Sequence, residues 1–137
     1  MKIGIFSIGL SGLKYLKEIV KELPAYDFEL YADTRQIASE ASEIESMVEE
    51  GVKRLLERQA GLIIVIDASH KNLSEKFPNT EIIFSNTPAE LKKYLIENPE
   101  IEKNLSRNHT RNITLTENTP ETDEEVATIL GGALIRE

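Results

Sequence analysis

At 137 residues with 40% apolar content, the chain is large enough to bury a core and too small for two catalytic domains. A single domain over residues 1–137 is therefore expected. The net charge of -8 argues against nucleic acid and anionic membrane surfaces as partners, because both reward a clustered positive face. The absence of cysteine removes disulfides, thiolate metal sites and thiol nucleophiles together.

Apolar residues alternate between strand-like and helix-like spacing, the pattern of a parallel sheet with crossover helices. Lys2 to Phe6 reads as the first strand, and Leu13, Leu16, Val20 and Leu23 define a helix that Pro24 stops. Asp27 to Ala32 is a second strand. Ser42 and Glu45 have the spacing of a capping box for a long helix whose face carries Ile44, Met47, Val48, Val52 and Leu55. On that helix Glu49 with Lys53, and Glu50 with Arg54, are spaced as solvated pairs.

Leu62 to Ile66 is continuously aliphatic, as in a central strand covered on both faces. Glu81 to Phe84 is a short fourth strand. Thr87, Pro88 and Glu90 then supply an N-cap, a first-turn proline and a capping-box acid for a helix bearing Leu91, Tyr94 and Leu95. Asn98 and Pro99 restart a helical turn, and Glu102 to Arg111 reads as an exposed polar connection. Ile113 to Thr116 is a last strand. Thr119 with Pro120, or Thr122 with Glu125, opens a terminal helix ending near Gly131 and Gly132. The expected fold is an α/β, flavodoxin-like three-layer sandwich with a mostly parallel sheet of about five strands. No apolar run approaches the roughly 20 residues that cross a bilayer, and Met1 leads directly into a strand, so a cytoplasmic location is expected.

The opening, Met1 to Leu13 (MKIGIFSIGLSGL), resembles the start of glutamate racemases, where a strand ends in an Asp-Ser-Gly-x-Gly-Gly-Leu turn. Tyr31, Ala32, Asp33 and Thr34 are similar to the end of that family's second strand, and Ser42 to Leu56 to its long helix. Leu62 to Ile66 resembles the strand that delivers its first catalytic cysteine, and Ile113 to Gly131 its closing strand and helix. Each departure falls on a working residue of the family. The turn's aspartate corresponds to Ser7, its serine to Ile8 and one glycine to Ser11, leaving Gly9 and Gly12. The Cys-Asn-Thr segment reads Asp67, Ala68, Ser69; the Pro-Tyr-Gly falls near Ala38, Ser39 and Glu40; the family's middle, with its second cysteine, has no counterpart.

Inverting an α-carbon needs a base on one face and an acid on the other. The family uses two thiols. The resemblance thus implies a degenerate relative, inactive as a racemase, in which Glu40 also disfavours an anionic ligand.

Ligands of open parallel sheets sit outside the strands' carboxyl ends, where Ser7, Asp33, Arg35, Asp67, Ser69, His70, Asn86 and Thr87 are expected. Asp67 reads as an Asx-turn or N-cap residue before it reads as a general base, and His70 as a solvent-exposed loop residue before it reads as its acid–base partner. Gly9 and Gly12 suit either an anion-holding turn or close strand–helix packing. The ligand-binding candidates are Ser7, Gly9, Gly12, Asp33, Thr34, Ser69, Asn86 and Thr87. No cofactor and no metal are expected. Two functions from different classes are carried forward: a non-catalytic assembly or regulatory module that forms a homodimer, and a small-anion binder or residual enzyme using Asp67 and His70.

Overall fold

The computed structural model describes residues 1–35, 40–68, 70–85, 87–117, 124, 126, 127, 135 and 136. Its elements follow the order β1 (Lys2–Ile8), α1 (Ser11–Glu22), β2 (Phe28–Asp33), α2 (Ala41–Glu57), β3 (Ala60–Ile66), α3 (Leu73–Lys76), β4 (Glu81–Phe84), α4 (Pro88–Glu97), α5 (Pro99–Lys103), β5 (Arg111–Leu115) and β6 (Ile135–Arg136). The strands form one sheet in the order β4-β3-β1-β2-β5-β6, and every pairing is parallel. The sheet has six strands, the sixth only two residues long, and β5 lies beside β2 rather than beyond β4.

The direction of each crossover decides which face its helix covers. Parallel crossovers are right-handed, so reversing direction across the sheet moves the helix to the opposite face. The chain steps from β1 to β2, then back across β1 to β3 and on to β4, and finally returns over the whole sheet to β5. Accordingly α1 and α4 cover one face, where Leu13, Leu16, Ile19, Leu91 and Leu95 pack on Ile3, Ile5, Leu30, Leu62 and Ile64. Helices α2 and α3 cover the other, where Val48, Val52, Leu55 and Leu73 meet Phe6, Tyr31, Ile63 and Val65. Residues that alternate along one strand thus enter two cores, which explains the unbroken apolar runs of β1 and β3.

Several local expectations change. Helix α2 begins at Ala41 with Glu40 as its N-cap and no side-chain cap hydrogen bond, so Ser42 and Glu45 form no capping box; Ser42 already lies inside the helix. Glu49 turns from Lys53 to Lys76, whose Nζ is 2.7 Å away, and Glu50 lies 3.6 Å from Arg35. At α4, Pro88 takes the first turn and Thr87 Oγ1 donates to Glu90 Oε1 at 3.0 Å, a side-chain variant of the expected box. Asn98 caps α5 as the helical restart required.

The segment after Glu102 is an exposed connection, with Asn104 and Arg107 to Thr110 at the surface, but it is fixed in place. Leu105 is buried, Ser106 N–H donates to Met1 O at 2.8 Å, and Asn108 and Thr110 bond to the buried Asp27. A segment with no hydrophobic period can still be fixed when its amides satisfy a buried carboxylate. Of the terminal helix, residues 124, 126 and 127 are helical and Val126 enters the core. Thr119, Pro120, Thr122, Glu125, Gly131 and Gly132 lie outside the described residues.

Candidate functional site

Strands β1 and β3 are neighbours whose following helices leave to opposite faces, which places a crevice at their carboxyl ends. The residues there divide between those enclosed by the fold and those that also line an open depression.

Ser7 and Asp33 belong to the first group. Ser7 is fully buried and its hydroxyl donates to Gly9 O at 3.1 Å. Gly12 lies so close that a Cβ there would come within 2.5 Å of Ser7 Oγ and 2.8 Å of Leu30 Cδ1, so this glycine serves strand–helix contact. Gly9 has φ +77° and its N–H donates to Asp33 O at 2.7 Å. That amide is therefore not available to an anion.

Asp33 is 1% exposed. Arg35 holds it bidentately, Nε to Oδ1 at 2.9 Å and the terminal nitrogen to Oδ2 at 2.6 Å, and Thr116 Oγ1 adds a bond at 3.2 Å. Burial pushes this carboxyl's pKa upward, but the Arg35 hydrogen bonds and charge, with Thr116, outweigh it and hold the group below its ordinary value. Thr34 N–H donates to Thr116 Oγ1 at 2.8 Å, and Glu117 N–H to Thr34 Oγ1 at 2.7 Å. Asp33 and Thr34 together clasp β2 to the end of β5.

Asp67 and Thr87 belong to the second group. They line a depression of about 350 Å³ with Ser11, Lys14, Tyr15, Glu18, Ile66 and Pro88. Asp67 sits at φ +54°, a left-handed conformation that aspartate tolerates better than most residues. Tyr15 is buried, and burial pushes its phenol up to about 12, partly offset by the hydrogen bond with Ser85 and reinforced by Glu90. Ser11 Oγ is buried with no hydrogen-bond partner. The walls carry one cation and two acids.

His70 is neither exposed nor turned into this depression. Its side chain is 2% exposed, with Nε2 3.3 Å from Glu49 Oε2 and 4.0 Å from Glu45 Oε2 on α2. Its Nδ1 accepts the Asn72 N–H at 3.2 Å. Burial of the ring against α2 separates it from the open wall where Asp67 lies. Ser69 and Asn86 fall outside the described residues. Among the described residues no group of three or more His, Cys, Asp or Glu side chains is arranged to hold a metal ion, and no helix is long and apolar enough to cross a membrane.

Sequence reasoning missed Lys14, Tyr15 and Glu18, which lie on a helix face that reads as ordinary amphipathic pattern. It also missed the buried acids Asp27 and Glu29. Glu29 is bridged to Lys2 at 3.2 Å, with Asn112 Nδ2 donating to the same oxygen at 3.2 Å. An acid inside an aliphatic strand was the available signal, since a buried carboxylate demands partners.

No family profile matches the chain. A glutamate racemase of Campylobacter curvus (strain 525.92) is 38% identical over 68 residues, 47% of this chain. That match spans 26% of the curated relative's length. In three dimensions the chain superposes on the crystal structure of a glutamate racemase from Francisella tularensis subsp. tularensis SCHU S4 in complex with D-glutamate, with a TM-score of 0.66 and 12% identity. The superposition covers 99% of this chain and 97% of that one. The chain is therefore similar to glutamate racemase, in sequence over about half its residues and in α/β fold from end to end.

Proposed function

We propose that this chain keeps a racemase-like fold without racemase chemistry and works as a non-catalytic assembly or regulatory module. One observation carries the reading. At the strand ends, where an α-carbon needs two proton carriers on opposite faces, the chain supplies no thiol, and the buried Ser7 and Asp33 are already bound to Gly9, Arg35 and Thr116. A group spent on internal hydrogen bonds must break them before it can shuttle a proton.

The direct test is incubation of the purified chain with L- or D-glutamate in deuterium oxide. No deuterium at the α-carbon and no interconversion are expected. Solvent exchange above the level of a mock purification, abolished by Asp67→Ala, would overturn the reading.

The partner best suited to the assembly role is a second copy of the chain. Among the described residues strand β4 is a sheet edge with Phe84 45% exposed, and a strand edge is a template for another strand. Light scattering should give twice the monomer mass. A monomer at high concentration, in moderate salt to screen the net charge, removes this part of the reading.

The strand-end depression favours a second reading, binding of a small anion without turnover. Lys14 is its cation and Asp67 the opposing acid. A thermal shift with amino acids, dicarboxylates or phosphate that Lys14→Ala abolishes would support it. No shift with any of them would remove it.

A further inference from the structure

The two histidines are held in opposite tautomers. A backbone N–H only donates, so His70 Nδ1, which receives the Asn72 N–H at 3.2 Å, must carry a lone pair, and in the neutral ring the proton lies on Nε2. A carbonyl only accepts, so His109 Nδ1, 3.1 Å from Pro24 O, must carry a proton. Protonating His109 adds a hydrogen at its other nitrogen and leaves the Pro24 contact intact. Protonating His70 adds one at Nδ1, where it confronts the Asn72 N–H.

We propose that His70 is a proton-sensitive latch on the segment joining β3 to α3. The charged groups facing the ring are Glu45 and Glu49 of α2 and Lys76 of α3, which holds the other oxygen of Glu49 at 2.7 Å. Nε2 lies 3.3 Å from Glu49 without an aligned hydrogen bond, so a charge on the ring strengthens its attraction to these carboxylates. The neutral ring binds Asn72, and the charged ring binds α2 and releases Asn72.

The release propagates locally. Asn72 is the N-cap of α3, and its carbonyl accepts the N–H groups of Glu75 and Lys76 at 3.1 and 3.2 Å. Helix α3 in turn inserts Leu73 into the core shared with α2. Freeing the Asn72 amide therefore loosens the first turn of α3 and the strand-end loop that begins at Asp67, beside the depression.

Nitrogen-15 NMR of the full chain tests this. At alkaline pH the expected spectrum has His70 as the Nε2–H form and His109 as the Nδ1–H form. On acidification the Asn72 amide shift should move in step with His70 and not with His109. Its exchange protection, corrected for the intrinsic rate, should fall about tenfold, the scale of one lost hydrogen bond. In His70→Gln this step should vanish. If that variant does not fold, Glu49→Gln serves instead, retaining the His70 tautomer and the coupled Asn72 step. Finding His70 as the Nδ1–H form, or an Asn72 amide unmoved across the His70 titration, overturns the proposal.

Discussion

Asn108 is joined to Asp27 twice, its backbone N–H donating to Oδ1 at 3.0 Å and its side-chain amide to Oδ2 at 3.1 Å. Thr110 N–H adds a third bond at 2.9 Å, so the residue before β2 fixes the residues before β5. Burial raises the Asp27 pKa, but hydrogen bonds from Ser106, Thr110 and Asn108 outweigh it and hold the group well below its ordinary value. A depressed carboxyl contributes stability above its unfolded value that is lost as pH falls through the folded value. Asp27→Ala should cost about 2–4 kcal/mol in urea unfolding at neutral pH, and this difference should shrink below the ordinary carboxylate range. An equal loss at acid and neutral pH would contradict the assignment.

Arg35→Ala should lower stability by roughly 2 kcal/mol, because it leaves Asp33 buried with only part of its partners. The figure lies below that for a fully buried pair because Arg35 is 47% exposed and screened by solvent. Arg35→Lys should recover only part of the loss, since an ammonium cannot reproduce the two-pronged contact. Thermal melts of the three proteins decide it, and full rescue by lysine would show that charge alone suffices.

Two glycines should respond to alanine for different reasons. At Gly51 in α2, a Cβ would lie 2.1 Å from Phe6 Cδ1, and overpacking of about 1–3 kcal/mol should exceed the roughly 1 kcal/mol that alanine adds in helix propensity. At Gly9 there is open space around the added atom, yet φ is +77°, so Gly9→Ala should cost about 1–2 kcal/mol through backbone strain alone. Adding Phe6→Leu should partly rescue Gly51→Ala and leave Gly9→Ala unchanged. Denaturant midpoints of these variants supply the check.

Tyr15 makes the alkaline limb of stability informative. Its phenol is raised from 10.0 to about 12, so its contribution is complete below the ordinary tyrosine value and is lost as pH rises toward the folded one. Tyr26 and Tyr94 are also raised by burial and by Glu102 and Glu81, so absorbance titration should show a late-ionising fraction that loses one tyrosine in Tyr15→Phe. That variant should also lose stability more slowly above pH 10.0. Ionisation of all four tyrosines in one step near the ordinary value would refute this.

The layered architecture was readable because residues of the central strands β1 and β3 enter two opposed cores, and unbroken runs such as Leu62 to Ile66 can do so only in a covered parallel sheet. The bounds of β4 were readable to the residue, since Thr80 before it and Ser85 after it are polar. The site was much less legible. Chain order gave which residues follow strands, but not whether their polar atoms were already bound. Asp33 and Asp67 look alike in sequence; one is fully buried under Arg35 and the other lines a depression at the surface. His70 looked like an exposed loop residue because its cover, Glu45 and Glu49, lies more than twenty positions earlier. The bonds to Asp27 were hidden for the same reason, being side-chain contacts across about eighty residues.

Because β5 reaches β2 only after the chain has travelled out to β4 and back, a chain released before residue 111 would leave β2 as a bare margin. That margin carries Glu29 and Asp33, with Asp27 at its threshold. Carboxylates at an open strand repel identical neighbours. The same acids that fasten the finished sheet therefore discourage half-made copies from zipping together during synthesis.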